Sequence, residues 1–172
     1  WIEWRQKRSG NTLYSVGRDV TAIKTHEANL LLQERQLSEA EAIGRMGHWQ
    51  WTVGGDVIEW SDEIYRIFGT KRGVFQPSLE SINNLLHKRD IGRMMQAFQR
   101  AIIEQNSYDM DFRAVRPDGE TRYVRCEGRC QISDDGEVLA LYGIMQDITE
   151  RTLYEQELKQ AKEDAERAYS AK

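Results

Sequence analysis

The stretch Val138-Leu-Ala-Leu-Tyr-Gly-Ile-Met-Gln-Asp-Ile-Thr-Glu-Arg151 decides the fold. Its front half is a short apolar run with β-branched and aromatic residues, preceded by the turn signal Asp134-Asp-Gly136, which is the pattern of a buried strand. Its back half reads as a helix start. Asp147 is a capping residue, and Glu150 stands three positions on, the spacing from which a carboxylate reaches back to the cap's backbone N–H. From Arg151 to Lys172 there is no Gly or Pro, and Ala, Glu, Lys, Gln and Leu dominate, so a helix is expected over 150–172. A core strand therefore feeds a long exposed helix through Asp147, Ile148, Thr149 and Glu150. Any change in the sheet is delivered there.

The same joint occurs twice. Tyr14-Ser-Val-Gly-Arg-Asp-Val-Thr21 echoes Tyr142-Gly-Ile-Met-Gln-Asp-Ile-Thr149, with Asp19 and Asp147 standing 128 residues apart. That separation is the length of a small domain and a linker. Both copies run into charged, Leu-containing helical sequence, so the chain reads as the last hairpin of one unit followed by all of the next.

At 172 residues there is room for one domain of ordinary size with helical extensions. A mean hydropathy of −0.70 suits a globular core with solvated helices, and no apolar run approaches the roughly 20 residues that span a bilayer. The net charge of −4 is mixed in sign, which leaves no electrostatic footprint for nucleic acid. Cys126 and Cys130 fall on one strand-like run, where four residues span roughly 13 Å. Bridged cysteines need Cα atoms within about 7 Å, so these two read as small hydrophobes of a reducing, cytoplasmic compartment. The sequence is silent on membrane attachment elsewhere in a longer parent.

In chain order, Trp1 to Arg8 and Thr12 to Val16 flank the turn Ser9-Gly-Asn11 as a hairpin. Residues 22–44 read as a linker helix. Ile23, Leu30 and Leu37 repeat every seven residues, but His26 and Gln33 are polar, so the coiled-coil seam is weak. His48 to Val53 and Val57 to Trp60 form a second hairpin around Gly54-Gly-Asp56. Ser61-Asp-Glu63 caps a short helix ended by Gly69, and Pro77 to Leu86 reads as another. Asp90 to Gln105 is amphipathic, with Ile91, Met94, Met95, Phe98, Ile102 and Ile103 on one face. Three strands follow, joined at Pro117-Asp-Gly119 and Asp134-Asp-Gly136. Strands and helices are segregated and the turns are hairpin turns, which predicts an α+β domain with a mostly antiparallel sheet.

These residues, in this order, resemble the PAS sensor domain. The likeness is carried by Gly47-His-Trp-Gln-Trp51, the block from Trp60 to Gly69, His87-Lys-Arg-Asp90, a partial match at Arg113-Ala-Val-Arg-Pro-Asp-Gly119, and the closing Gly143 to Arg151. The resemblance implies a PAS-like five-stranded antiparallel sheet with helices on one face, flanked by N- and C-terminal coiled-coil-type helices. It divides the chain into 1–21, the C-terminal hairpin of a preceding PAS domain; 22–44, a linker; 45–149, the PAS domain; and 150–172, a signalling helix. It further implies a sensory module that relays a ligand or partner signal to a downstream output domain in the same chain. A sensor histidine kinase is favoured, because Lys159 to Lys172 is similar to the connector before a phosphoacceptor helix. A diguanylate cyclase is the other output considered, and a ligand-independent dimerisation and spacer module is the reading from a different class.

The implied pocket beneath the short helices would be lined by Trp49, Trp60, Tyr65, Phe68, Met94, Phe98 and Cys126, although aromatics of this kind are more often plain core. The small-molecule ligand is not named by the sequence. Flavin is disfavoured because the Asn-Cys-Arg-Phe-Leu type block is missing. Haem is disfavoured because Asp90 to Gln105 holds no His. His87, with an acid three residues on, reads as a helix cap before it reads as a ligand. No catalytic set, metal cluster or phosphate loop is present in the pattern. Along the exit helix Tyr154, Leu158, Ala161, Ala165 and Ala168 step by four, three, four and three, a heptad seam of small residues expected to pair two copies of the chain in a homodimer. Asp147 is expected to bond an arginine of a neighbouring strand, with Arg113, Arg125 and Arg129 as candidates.

Overall fold

The computed structural model describes residues 1–170, so the last two positions of the expected exit helix, 171 and 172, lie outside the described residues. The chain divides into two compact units, Trp1–Ala40 and Glu41 onward. In the first, strands β1 (Ile2–Ser9) and β2 (Thr12–Asp19) pair antiparallel around Gly10-Asn11, and helix α1 (Thr21–Gly44) begins two residues after β2. Gly10 takes the left-handed conformation that a two-residue hairpin turn demands, with φ of 60°.

The second unit holds β3 (Met46–Thr52), β4 (Ile58–Trp60), α2 (Asp62–Ile67), a short 3-10 turn at Ser81–Leu85, α3 (Lys88–Glu104), β5 (Tyr108–Val115), β6 (Thr121–Ile132), β7 (Val138–Asp147) and α4 (Thr149–Ser170). Its five strands form one antiparallel sheet in the order β4-β3-β7-β6-β5. The first strand therefore sits beside the last, and the chain enters and leaves the sheet at neighbouring positions. The α+β architecture and the five-stranded sheet expected from the sequence are both present.

Local signals explain most boundaries. Gly69 ends α2 with φ of 67°, and its N–H and that of Thr70 bond the carbonyls of Arg66 and Tyr65, the two reversed bonds of a left-handed helix stop. His87 caps α3, its Nδ1 accepting the Arg89 N–H at 3.2 Å. Gly47 carries no Cβ because α2 packs there: an added Cβ would lie 2.5 Å from the Ser61 hydroxyl and 2.9 Å from the Ile64 nitrogen.

Three expectations are corrected. Ser61 stands at the α2 N-cap, but its hydroxyl accepts from His48 N–H across to β3 at 3.1 Å and leaves the helix end uncapped by a side chain. The helix expected from Pro77 shrinks to the 3-10 turn. There the Ser78 and Ser81 hydroxyls each accept the other residue's backbone N–H, at 2.9 and 2.8 Å, and such bonds compete with helix continuation. Ile103 is 81% exposed. The buried stripe of α3 runs through Asp90, Met94, Phe98 and Ala101, and five residues past Phe98 the helix has turned about 140° away.

The core lies between the inner face of the sheet and the helices. Every member of its cluster falls between Trp49 and Met145. One half is built of Trp49, Phe98 and Tyr108, whose rings meet at 5.4 to 6.3 Å, mostly edge to face. The other is built around Trp60, stacked on Phe68 at 4.8 Å and on Phe75 at 5.7 Å, with Tyr65 against its edge and Phe112 beyond Phe68.

Candidate functional site

The joint between β7 and α4 is a closed set of hydrogen bonds. Asp147 Oδ1 accepts the Thr149 N–H at 2.9 Å and the Thr149 hydroxyl proton. The same hydroxyl accepts the Tyr123 N–H at 2.9 Å, and Ile148 N–H donates to the Tyr123 carbonyl at 2.9 Å. The Ile148 carbonyl takes the first helical bond, from Thr152 N–H. So α4 is fastened to β6 as well as to β7, through Asp147, Ile148 and Thr149. Thr149 is buried, the sole residue of its helix that is.

Glu150 does not close a capping box. The Asp147 N–H it would have reached already donates to the Arg45 carbonyl at 2.9 Å, because β7 is still paired to the start of β3 at that point. Glu150 turns instead to the Arg45 side chain, at 2.8 Å. The expected arginine partners of Asp147 are also corrected. Arg113 bonds Asp90 and Arg125 bonds Asp111; Arg122 is the one beside Asp147, at 3.4 Å. Register gives the reason. Asp147 lies opposite Val124 and so shares a face with Arg122, while Arg125, Arg129 and Arg113 (opposite Tyr123) point to the other side.

Around this joint lies an open cleft of about 490 Å³, lined by Ala42, Arg45, Glu63, Arg66, Ile67, Arg116, Arg122, Asp147 and Glu150. Its four arginines each face an acid: Arg45 on Glu150, Arg66 on Glu63, and both Arg116 and Arg122 on Glu120. The cleft is thus a self-neutralising ion network.

The candidate pocket residues are all buried: Trp49, Trp60, Tyr65, Phe68, Met94, Phe98 and Cys126 belong to one cluster, at 0 to 7% exposure. Trp49, Phe98 and Cys126 meet around Tyr108, whose hydroxyl lies 3.7 Å from the Cys126 sulfur. Trp60, Tyr65 and Phe68 form the other group. Tyr108, Phe75 and Phe112 belong to this core and escaped the candidate set: Tyr108 and Phe112 sit on an alternating strand, where an aromatic carries no mark beyond its inward phase, and Phe75 lies in the loop between α2 and the 3-10 turn. The indole N–H groups of Trp49 and Trp60 are buried with no hydrogen-bond partner among the described residues. Burial pushes the Cys126 thiol up to about 12, so it rests as the protonated thiol at neutral pH. Asp90 was visible as an acid after His87, but its role was not. Its carboxylate, 4% exposed, accepts from the Arg113 backbone N–H and from Arg113 Nε and Nη2 at 2.8 to 2.9 Å. On α4, Tyr154, Leu158, Ala161, Ala165 and Ala168 are all exposed.

A sheet that closes its first strand on its last and then clasps the outgoing helix defines an α+β module built to hold a helix by its root. The chain belongs to the PAS-fold family, whose model matches residues 57–145. Among curated proteins it is similar to "Probable diguanylate cyclase DgcE" of Escherichia coli (strain K12), at 24% identity over 157 residues. That match takes in 90% of this chain and 14% of the relative, so the chain spans about a seventh of the relative's length. Among solved structures it is similar to a sensory box histidine kinase/response regulator from Burkholderia thailandensis E264 (21% identity, TM-score 0.63, 77% of this chain and 98% of that one). It is also similar to the N-terminal domain of a diguanylate cyclase with PAS/PAC sensor from Marinobacter aquaeolei (23% identity, TM-score 0.57, 62% and 98%). These likenesses are likenesses of fold.

Proposed function

We propose that this chain is a sensory and regulatory module that turns an event in its core into a change at the root of α4, and passes it to an output enzyme in the same polypeptide. The observation that supports this is the clasp. Thr149 is bonded to β7 through Asp147 and to β6 through Tyr123, so a shift between those strands cannot leave the first turn of α4 in place. A small molecule with an apolar body and hydrogen-bond acceptors suits the core, because the two orphaned indole donors at Trp49 and Trp60 would gain partners worth about 1 kcal/mol each or more. Two copies paired along Tyr154, Leu158, Ala161, Ala165 and Ala168 would carry the change onward in a cytoplasmic homodimer.

A histidine kinase in a two-component phosphorelay is the first reading of the output, supported by the connector-like sequence from Lys159 to Lys172. A diguanylate cyclase is the second, favoured by the curated relative that matches nine-tenths of this chain. Incubating the longer parent with labelled ATP or GTP separates the two, since acid-labile phosphohistidine and a cyclic dinucleotide are different products. In that parent Asp147→Ala is expected to leave basal output standing and to abolish its response to the signal. A response that survives the change overturns the relay at this joint.

A further inference from the structure

The first hairpin ends in a clasp of the same pattern. Val20 N–H donates to the Trp1 carbonyl at 2.9 Å, as Ile148 N–H does to Tyr123. Asp19 Oδ1 accepts the Thr21 N–H at 2.9 Å, as Asp147 does that of Thr149. The Thr21 hydroxyl lies 2.5 Å from the Trp1 nitrogen and 3.4 Å from its carbonyl oxygen; for Thr149 and Tyr123 the distances are 2.9 and 3.5 Å. Lys24 N–H to the Val20 carbonyl opens α1, as Thr152 to Ile148 opens α4.

The agreement continues into strands whose sequences share little. Ile2 stands opposite Asp19 and Trp4 opposite Gly17, where the closing hairpin sets Val124 opposite Asp147 and Cys126 opposite Met145. Opposed residues share a face, so the match assigns faces. Val124, Cys126, Leu141 and Met145 form the inner face of β6 and β7, at 0 to 2% exposure. Their counterparts are Ile2, Trp4, Leu13 and Gly17. A Cβ at Gly17 would lie 3.1 Å from the side chains of both Ile2 and Trp4, so a large and a small residue fill the space that Cys126 and Met145 share, the kind of swap a packed core tolerates. On the other side Glu3, Arg5 and Lys7 with Tyr14 and Val16 correspond to Arg125, Glu127 and Arg129 with Tyr142 and Ile144. The first face gathers the large apolar side chains Ile2, Trp4 and Leu13, with Gln6, Ser15 and Arg8 farther from the clasp, and the second carries Glu3, Arg5, Lys7 and Arg18. Yet Ile2, Trp4 and Leu13 are about three-fifths exposed, and a lone hairpin is marginal in water.

We infer that Ile2–Asp19 is the closing hairpin of a second sheet of this same fold, and that the Ile2, Trp4 and Leu13 face receives one occupant: polypeptide upstream of Trp1, folded as β3 to β5 are folded here. Helix α1 is then to that sheet what α4 is to the one described, and two relays stand in series. The inference rests on the clasp geometry and is indifferent to which enzyme lies downstream.

The test compares this chain with the natural protein extended upstream, each carrying Leu13→Cys or, on the outer face, Tyr14→Cys. Alkylation by iodoacetamide is read at each peptide by mass spectrometry. In the extended protein Leu13→Cys is expected to react about tenfold more slowly or less, with Tyr14→Cys within about threefold of its rate in the shorter chain. Equal rates for Leu13→Cys in the two proteins overturn the inference. So does protection of Leu13→Cys in the shorter chain together with a dimeric mass, since the occupant is then a second copy. Hydrogen exchange on unmodified protein guards against a variant that misfolds: slower exchange across β1 and β2 in the extended protein supports the occupant, and unchanged exchange removes it.

Discussion

At the scale of single residues, Asp90 is the most deeply buried charge among the described residues. Its carboxylate is out of water and held by three bonds from Arg113; these hold its pKa below the ordinary carboxylate value. Unfolded, it titrates at about 3.9. The stability it contributes is therefore fully present above that pH and is lost as pH falls through the depressed folded value. Asp90→Asn leaves the Arg113 guanidinium unpaired, and is expected to cost about 3 kcal/mol at pH 7 in a urea titration, toward the lower end for a broken buried pair because Arg113 keeps part of its side chain in water. The variant should also flatten the acid limb of the stability curve. The two cysteines differ in the same way. Cys126, fully buried with its thiol near 12, should stay unalkylated at pH 8 in native protein and react only on unfolding. Cys130, partly exposed with its thiol bonded to the Ala101 carbonyl, should react slowly without denaturant.

At the scale of elements, β6 and β7 are brought together at two facing glycines, Gly128 and Gly143. A Cβ on Gly143 would stand 1.8 Å from the Glu127 carbonyl oxygen, which is backbone and cannot swing aside, and one on Gly128 would strike the Tyr108 ring. Gly143→Ala is expected to cost about 3 kcal/mol, the upper end for overpacking, and to speed amide exchange across β6 and β7; a neutral effect on urea stability would show that the strands separate freely. This pairing holds Tyr123 in reach of Thr149, so the same change should loosen the root of α4. The elements themselves were readable in the chain. Alternation marked β5, the Pro117 and Asp134 turns marked its partners, and Gly69 and His87 marked helix ends, because each of those signals acts within a few residues. Ile103 shows the limit: a helical face is read to within a turn, and only packing says which edge of the stripe is covered.

At the scale of the molecule, the two units divide the work. All buried apolar residues of the core cluster lie between Trp49 and Met145, while β1, β2 and nearly all of α1 are exposed. A chain cut to begin at Glu41 is therefore expected to keep its near-ultraviolet circular dichroism and to melt within about 2 °C of the parent. A large fall in melting temperature would mean that the first unit supports the second. Among the described residues no helix is long and apolar enough to cross a membrane.

The sequence alone determined the order of the elements, the type of all but the 3-10 turn at Ser81–Leu85, the inward phase of β5, and the recurrence of Asp-aliphatic-Thr at both helix roots. Each of these rests on periods of 2 or 3.6 residues or on a turn that closes locally. Tertiary structure decided that Arg122 and not Arg113, Arg125 or Arg129 meets Asp147, and that Arg113 goes to Asp90. It also decided that Glu150 serves Arg45 rather than the cap. Those outcomes turn on strand register and on which backbone N–H groups the sheet has already taken, and neither is written in the neighbours of the residue concerned.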